Sequence, residues 1–160
     1  MLAAVVLAVG LALVTACGSP AVDVTKSLAI VDVTTGWFDA GIVEGGMNKL
    51  VPSISFRLKN VSNGQIASVQ LMAPFRRVGE NDEWGSSYVQ VIGPEGLASG
   101  ATTAPIVLRN ALGYTGLQAR TQMLQNHEFV DARVELFAKS GSQKWIKIAE
   151  YRIMRQLLTH

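Results

Sequence analysis

The sequence predicts an all-β fold: an antiparallel sandwich of about seven short strands with one short helix, preceded by a signal peptide. Three observations carry that prediction. Apolar and polar residues alternate over several stretches, as at Ser53 to Lys59, where Ile54, Phe56 and Leu58 face one way, the mark of strands buried on one face. Turn-forming residues separate these stretches at intervals of roughly ten residues, the spacing of a sandwich. Helical spacing shows only from Leu117 to Asn126, and a chain of 160 residues suits one domain.

Residues 1–16, MLAAVVLAVGLALVTA, hold only Gly10 and Thr15 outside the apolar set. A membrane span takes about 20 apolar residues to cross roughly 30 Å of hydrocarbon, and a core helix would show a polar face. The length fits the apolar region of a secretion signal. No Lys or Arg precedes the run; either the terminal amine supplies the positive charge, or the true start lies upstream. Residues 17–27 begin with Cys17 and continue as GSPAVDVTKS, a small and polar stretch that reads as a tether. Residues 28–160 read as the sandwich domain.

Leu28 to Val33 reads as the first strand, ending toward Gly36 and Trp37. Residues 37–50, broken by Gly41, Gly45 and Gly46, read as a long loop with a short strand at Ala40 to Val43. Ser53 to Lys59 and Val69 to Arg76 read as two strands of one hairpin, joined by the turn Asn60-Val61-Ser62-Asn63-Gly64, where Asn and Gly tolerate positive φ. Glu80 to Glu83 forms a turn before a strand at Ser87 to Ile92. Gly93-Pro94-Glu95-Gly96 breaks that strand, and Leu97 to Gly100 leads into another near Thr103 to Leu108. After the short helix, Val130 to Lys139 alternates cleanly. Ser140-Gly141-Ser142 then turns the chain into a last strand from Lys144 to Met154, closing a second hairpin.

Two resemblances rest on quoted residues. Val14-Thr15-Ala16-Cys17 resembles the bacterial lipobox, an aliphatic residue and two small residues before a cysteine. That resemblance implies lipid attachment at Cys17, signal cleavage between Ala16 and Cys17, and a mature chain beginning at Cys17; the alternative is a small buried thiol. Gly18 in place of Asp resembles lipoproteins released to the outer membrane. Phe56-Arg57-Leu58-Lys59-Asn60-Val61-Ser62, Ile66 to Leu71 with Phe75, and Leu97-Ala98-Ser99-Gly100 are similar to the small immunoglobulin-like domains of bacterial envelope proteins, the FxLYD type among them. The tetrad that names that type is absent. This second resemblance implies a fold and no activity.

Chemistry is sparse in the pattern. His127 and His160 are the two histidines, and no serine sits in a nucleophile elbow or Ser-x-x-Lys pair. Neither a catalytic residue nor a metal or cofactor set emerges. Glu80, Asp82 and Glu83 read as a solvated hairpin tip rather than a calcium loop, and Asn60-Val61-Ser62 as turn chemistry rather than a glycosylation site. Gly41 to Gly46 lacks the context of a phosphate loop. A net charge of +2, from 14 basic and 12 acidic residues spread along the domain, gives no footprint for nucleic acid.

What remains is an aromatic and basic surface. Trp37, Phe38, Trp84 and Tyr88 form the candidate binding surface, with core packing as the alternative for Trp37 and Tyr88. Arg76-Arg77 and Arg152 with Arg155 face either solvent or anionic groups. The sequence therefore leads to a non-catalytic, lipid-anchored envelope lipoprotein facing the periplasm, in the outer rather than the inner membrane. It would be held to the membrane by lipid on Cys17 and engage a protein partner through a sheet edge or the loops at 37–50 and 80–86. A small-ligand or glycan receptor, with Trp37 and Trp84 converging on a pocket, is the second class; an enzyme would need a titratable pair that the pattern lacks.

Overall fold

The computed structural model describes residues 22–158. The leader, Ala16, Cys17 and His160 lie outside the described residues. Two sheets pack face to face with their apolar faces inward. The first holds β1 (Leu28–Val43), β2 (Met47–Asn60), β5 (Ile106–Arg109), β6 (Tyr114–Gly116) and β9 (Leu157–Leu158). Its order is β5-β2-β1-β9, with β6 also on β2. The second holds β3 (Val69–Arg77), β4 (Gly85–Ile92), β7 (Ala132–Ser140) and β8 (Ile146–Arg152), in the order β4-β3-β7-β8. Every pairing is antiparallel except that of β1 with β9. The alternating residues fill the core: Ile54, Phe56 and Leu58 from one sheet and Leu71, Phe75 and Leu136 from the other are all fully buried.

The predicted loop at 37–50 is instead the end of a long ribbon. β1 and β2 pair from Leu28↔Asn60 to Val43↔Met47, and Gly45 (φ 80°) and Gly46 (φ 73°) close the ribbon in a short 3-10 turn at Glu44–Gly46. Gly41 (φ 87°) sits at a bulge between Asp39 and Ile42, where its N–H donates to Asp39 Oδ1 at 2.9 Å. It bends the strand without ending it.

The predicted first hairpin is also corrected. β2 and β3 belong to different sheets, so residues 61–68 carry the chain across the sandwich. Alternation shows which face of a strand is buried and leaves its neighbour open. The second hairpin, β7 with β8, forms as expected, with β8 ending at Arg152 and β7 beginning at Ala132 rather than Val130.

Among the described residues, two short helices occur where one was expected. α2 (Arg120–Gln125) is shorter than predicted and buries Met123 and Leu124. α1 (Val24–Ser27) is capped by Asp23, whose side chain accepts from Thr25 N–H, and it buries Val24 completely. The last residues of the predicted tether are therefore part of the domain.

Candidate functional site

The four aromatic residues of the predicted surface divide between two places. Trp37 is fully buried, which removes it from any surface. It packs edge-on against Phe129 at 4.5 Å between centroids, with Tyr114 at 5.6 Å and Trp84 at 6.3 Å. Trp84 is half-buried, and the Arg77 guanidinium lies 5.7 Å from its ring. These rings converge as the packed end of the sandwich; Tyr114 and Phe129 line a small open hollow of about 160 Å3 there, and neither tryptophan lines it. The Tyr114 hydroxyl donates to Val130 O at 3.2 Å, and burial pushes its phenol above the ordinary range. Phe38 faces out from β1 and is covered by the Arg109 guanidinium, 3.5 Å from its ring centroid.

Tyr88 alone stays open, at 66 % exposure. It stands on the outer face of the second sheet, opposite Met72 of β3. One residue row away, Gln90 of β4 is opposite Gln70 of β3, and Gln70 is opposite Lys139 of β7. Trp145 continues this row, since Ile146 after it is opposite Ala138. β4 and β8 are the two outer strands, roughly 14 Å apart at about 4.8 Å per strand. Yet the Tyr88 and Trp145 rings meet at 6.4 Å between centroids, inclined at 69°. Both side chains therefore lean inward across the sheet. Lys139 Nζ lies 4.9 Å from the Trp145 ring centroid and fixes one side of the indole. An open hollow of about 250 Å3 lies here, bounded by Gln70, Leu71, Tyr88, Val89, Gln90 and Trp145.

The predicted basic surfaces are paired. Arg76 is bound to Glu135, which also takes Lys147 at 2.6 Å. Arg152 and Arg155 both bind Asp131, and Arg77 pairs with Glu80 at 2.9 Å. His127 is exposed beside Glu128 at 2.8 Å, just beyond α2. Asn81, Asp82 and Glu83 form an exposed tip. Among the described residues, no cluster of three or more His, Cys, Asp or Glu is placed to hold a metal ion, and no helix is long and apolar enough to cross a membrane.

Sequence reasoning missed Trp145, because Lys144-Trp145-Ile146 reads as the start of a strand, and its approach to Tyr88 depends on pairings that alternation leaves open.

The described residues thus define a β-sandwich with an aromatic hollow on one outer face. No family model matches the sequence, and no curated protein matches it. A crystal structure described as Northeast Structural Genomics Consortium target SoR45 is similar over 81% of this chain and 88% of that one, with 12% identity and a TM-score of 0.42.

Proposed function

We propose that this protein is a lipid-anchored, non-catalytic module on the periplasmic side of a bacterial envelope, and that it binds an extended segment of a partner protein along β4. The observation that carries the reading is the contrast between the two edges of the second sheet. β8 carries Lys147, Glu150 and Arg152, charges that deter another strand from pairing. β4, GSSYVQVI, carries none. Ser87 Oγ donates to Arg109 O at 2.5 Å, which closes the start of that edge; from Tyr88 onward, β4 has only β3 as a ladder partner among the described residues. A bare edge without charge offers main-chain hydrogen bonds to an added strand.

The lipobox-like residues support the anchor, and Val22 follows Cys17 by five residues. That length spans at most roughly 18 Å, which would keep the domain against the bilayer.

A photo-crosslinking residue at Val89 in intact cells tests the edge. The expected result is a discrete adduct with an envelope protein that no longer co-purifies with a Val89→Lys variant, while the same probe at Lys147 captures nothing. Adducts from both edges alike, or none from Val89, would remove the reading. Palmitate labelling tests the anchor separately: label should vanish in Cys17→Ser, and persistent label ends that claim.

A further inference from the structure

The outer-face hollow borders the β4 edge and shares Tyr88, Val89 and Gln90 with it, but its lining has a chemistry of its own. Tyr88 leaves two-thirds of its surface in water although its ring is large enough to bury well. Beside it, Gln70 and Gln90 lie as a cross-strand pair, and the Trp145 indole meets the Tyr88 ring over the sheet. Apart from Tyr88, no residue bounding the hollow is ionisable. The nearby Lys139 ammonium is turned onto the indole.

We propose that this hollow binds one ring of an uncharged carbohydrate. A sugar ring presents a face of C–H groups, which packs on an aromatic ring, and a rim of hydroxyls, each both donor and acceptor. Glutamine offers an oxygen acceptor and an NH2 donor in one planar group, so a cross-strand pair can meet neighbouring hydroxyls in both senses. The volume of about 250 Å3 is below the roughly 300–1,000 Å3 of sites that enclose a whole small molecule. It therefore suits one unit of a glycan whose neighbours run out over the open side. A proline-rich peptide also docks on aromatic grooves, but its backbone offers mainly acceptors and leaves the glutamine oxygens unmet.

The test uses the full-length protein titrated with chitotriose and with cellotriose, read by tryptophan emission and by saturation transfer to the sugar protons. At least one trisaccharide is expected to give a saturable response. Trp145→Ala and Gln70→Ala should each weaken it at least about tenfold, while Trp145→Phe retains most of the binding seen by saturation transfer. Neither position belongs to the buried core, so both variants should melt with the parent, and an unchanged melting temperature separates lost binding from lost fold. The proposal is overturned if neither trisaccharide saturates at millimolar concentration, if binding survives Trp145→Ala, or if a polyproline decapeptide binds where the sugars do not. Because Val89 also bounds the hollow, sugar binding is measured on the protein with native Val89 and on the Gln70 and Trp145 variants, which leave β4 unchanged, so either proposal can fail alone.

Discussion

Asn60 is fully buried and uses both ends of its amide. Its oxygen accepts from Ser62 N at 2.9 Å and Ser62 Oγ at 2.7 Å, and its NH2 donates to Gly64 O and Leu97 O, each at 2.8 Å. Its backbone N–H donates to Ala101 O, and its carbonyl accepts from Gly100 N–H. The Asn-x-Ser stretch and the Leu97–Gly100 turn, far apart in the sequence, are thus held together by the side chain and backbone of Asn60, with Ser99 Oγ donating to Ser62 O as well. Asn60→Ala removes four hydrogen bonds from a buried site, to partners Ser62, Gly64 and Leu97 that are half-buried or exposed, and should cost about 1–3 kcal/mol, measured by chemical denaturation. Asn60→Asp keeps the oxygen but loses both donated bonds, so it should also destabilise.

Asp131 acts at the same scale. Burial pushes its carboxyl up, but hydrogen bonds from Arg152 and Arg155 outweigh that and hold it below the ordinary carboxylate range. A lowered folded-state value means that the stabilisation is present above the unfolded value of about 3.9. It is lost as pH falls through the lower, folded one. Asp39, held down chiefly by Arg120, and Glu150, held down chiefly by Lys147, act in the same direction. Asp131→Asn should therefore lower stability at neutral pH and flatten its decline below pH ~4, as followed by melting temperature across an acid series.

At the scale of elements, the inward residues of β2, β3 and β7 were legible because each strand is buried on one face. Their partners were not, since β2 and β3 present the same pattern whether they pair or cross the core. β1 was legible only in its first half. Asp32 (φ 55°) marks a bulge between Val31 and Thr34 that shifts the alternation, and Gly41 marks a second. The ribbon's end, rich in glycine, therefore imitated a loop. The aromatic residues were visible as a group, but not their division into Trp37 in the core and Tyr88 outside.

β9 had no signal at all, being two residues long. Its place is made by Gly36, where an added Cβ would come within 2.7 Å of Leu158 Cγ and 2.9 Å of Gln156 O. Gly36→Val should push β9 off the sheet, seen as lost amide protection at residues 156–158 with β3 and β7 unchanged. The buried Ile153 just upstream is the firmer anchor of this segment, and Ile153→Ala should cost about 2–5 kcal/mol.

For the whole molecule, the long ribbon sets direction. β1 starts beside α1 and runs 16 residues to its tip, a rise of roughly 50 Å at about 3.3 Å per residue. Val22 and the Ser140–Gln143 turn share one end of the molecule: Gln143 turned about its amide bonds Val22 N and O at 3.1 and 2.9 Å. Trp145 lies just after that turn, so the aromatic hollow is at the N-terminal end and the ribbon tip, with exposed Ile42, is at the other. In a lipid-anchored chain the hollow would face material near the bilayer, and the tip would stand away from it.

The stitch that joins the two sheets also governs time. After β8, the chain leaves the second sheet and docks on the first, where Trp37 N–H donates to Gln156 O at 2.8 Å and Gln156 Nε2 donates to Thr35 O at 2.6 Å. The latter two residues are 121 positions apart in the sequence. Contacts so remote form late, because the intervening chain must be gathered first. Until they form, the flank of β1 at Trp37 and Phe38 that β9 covers is bare. Such a sequence is expected to be slow to commit to its final shape.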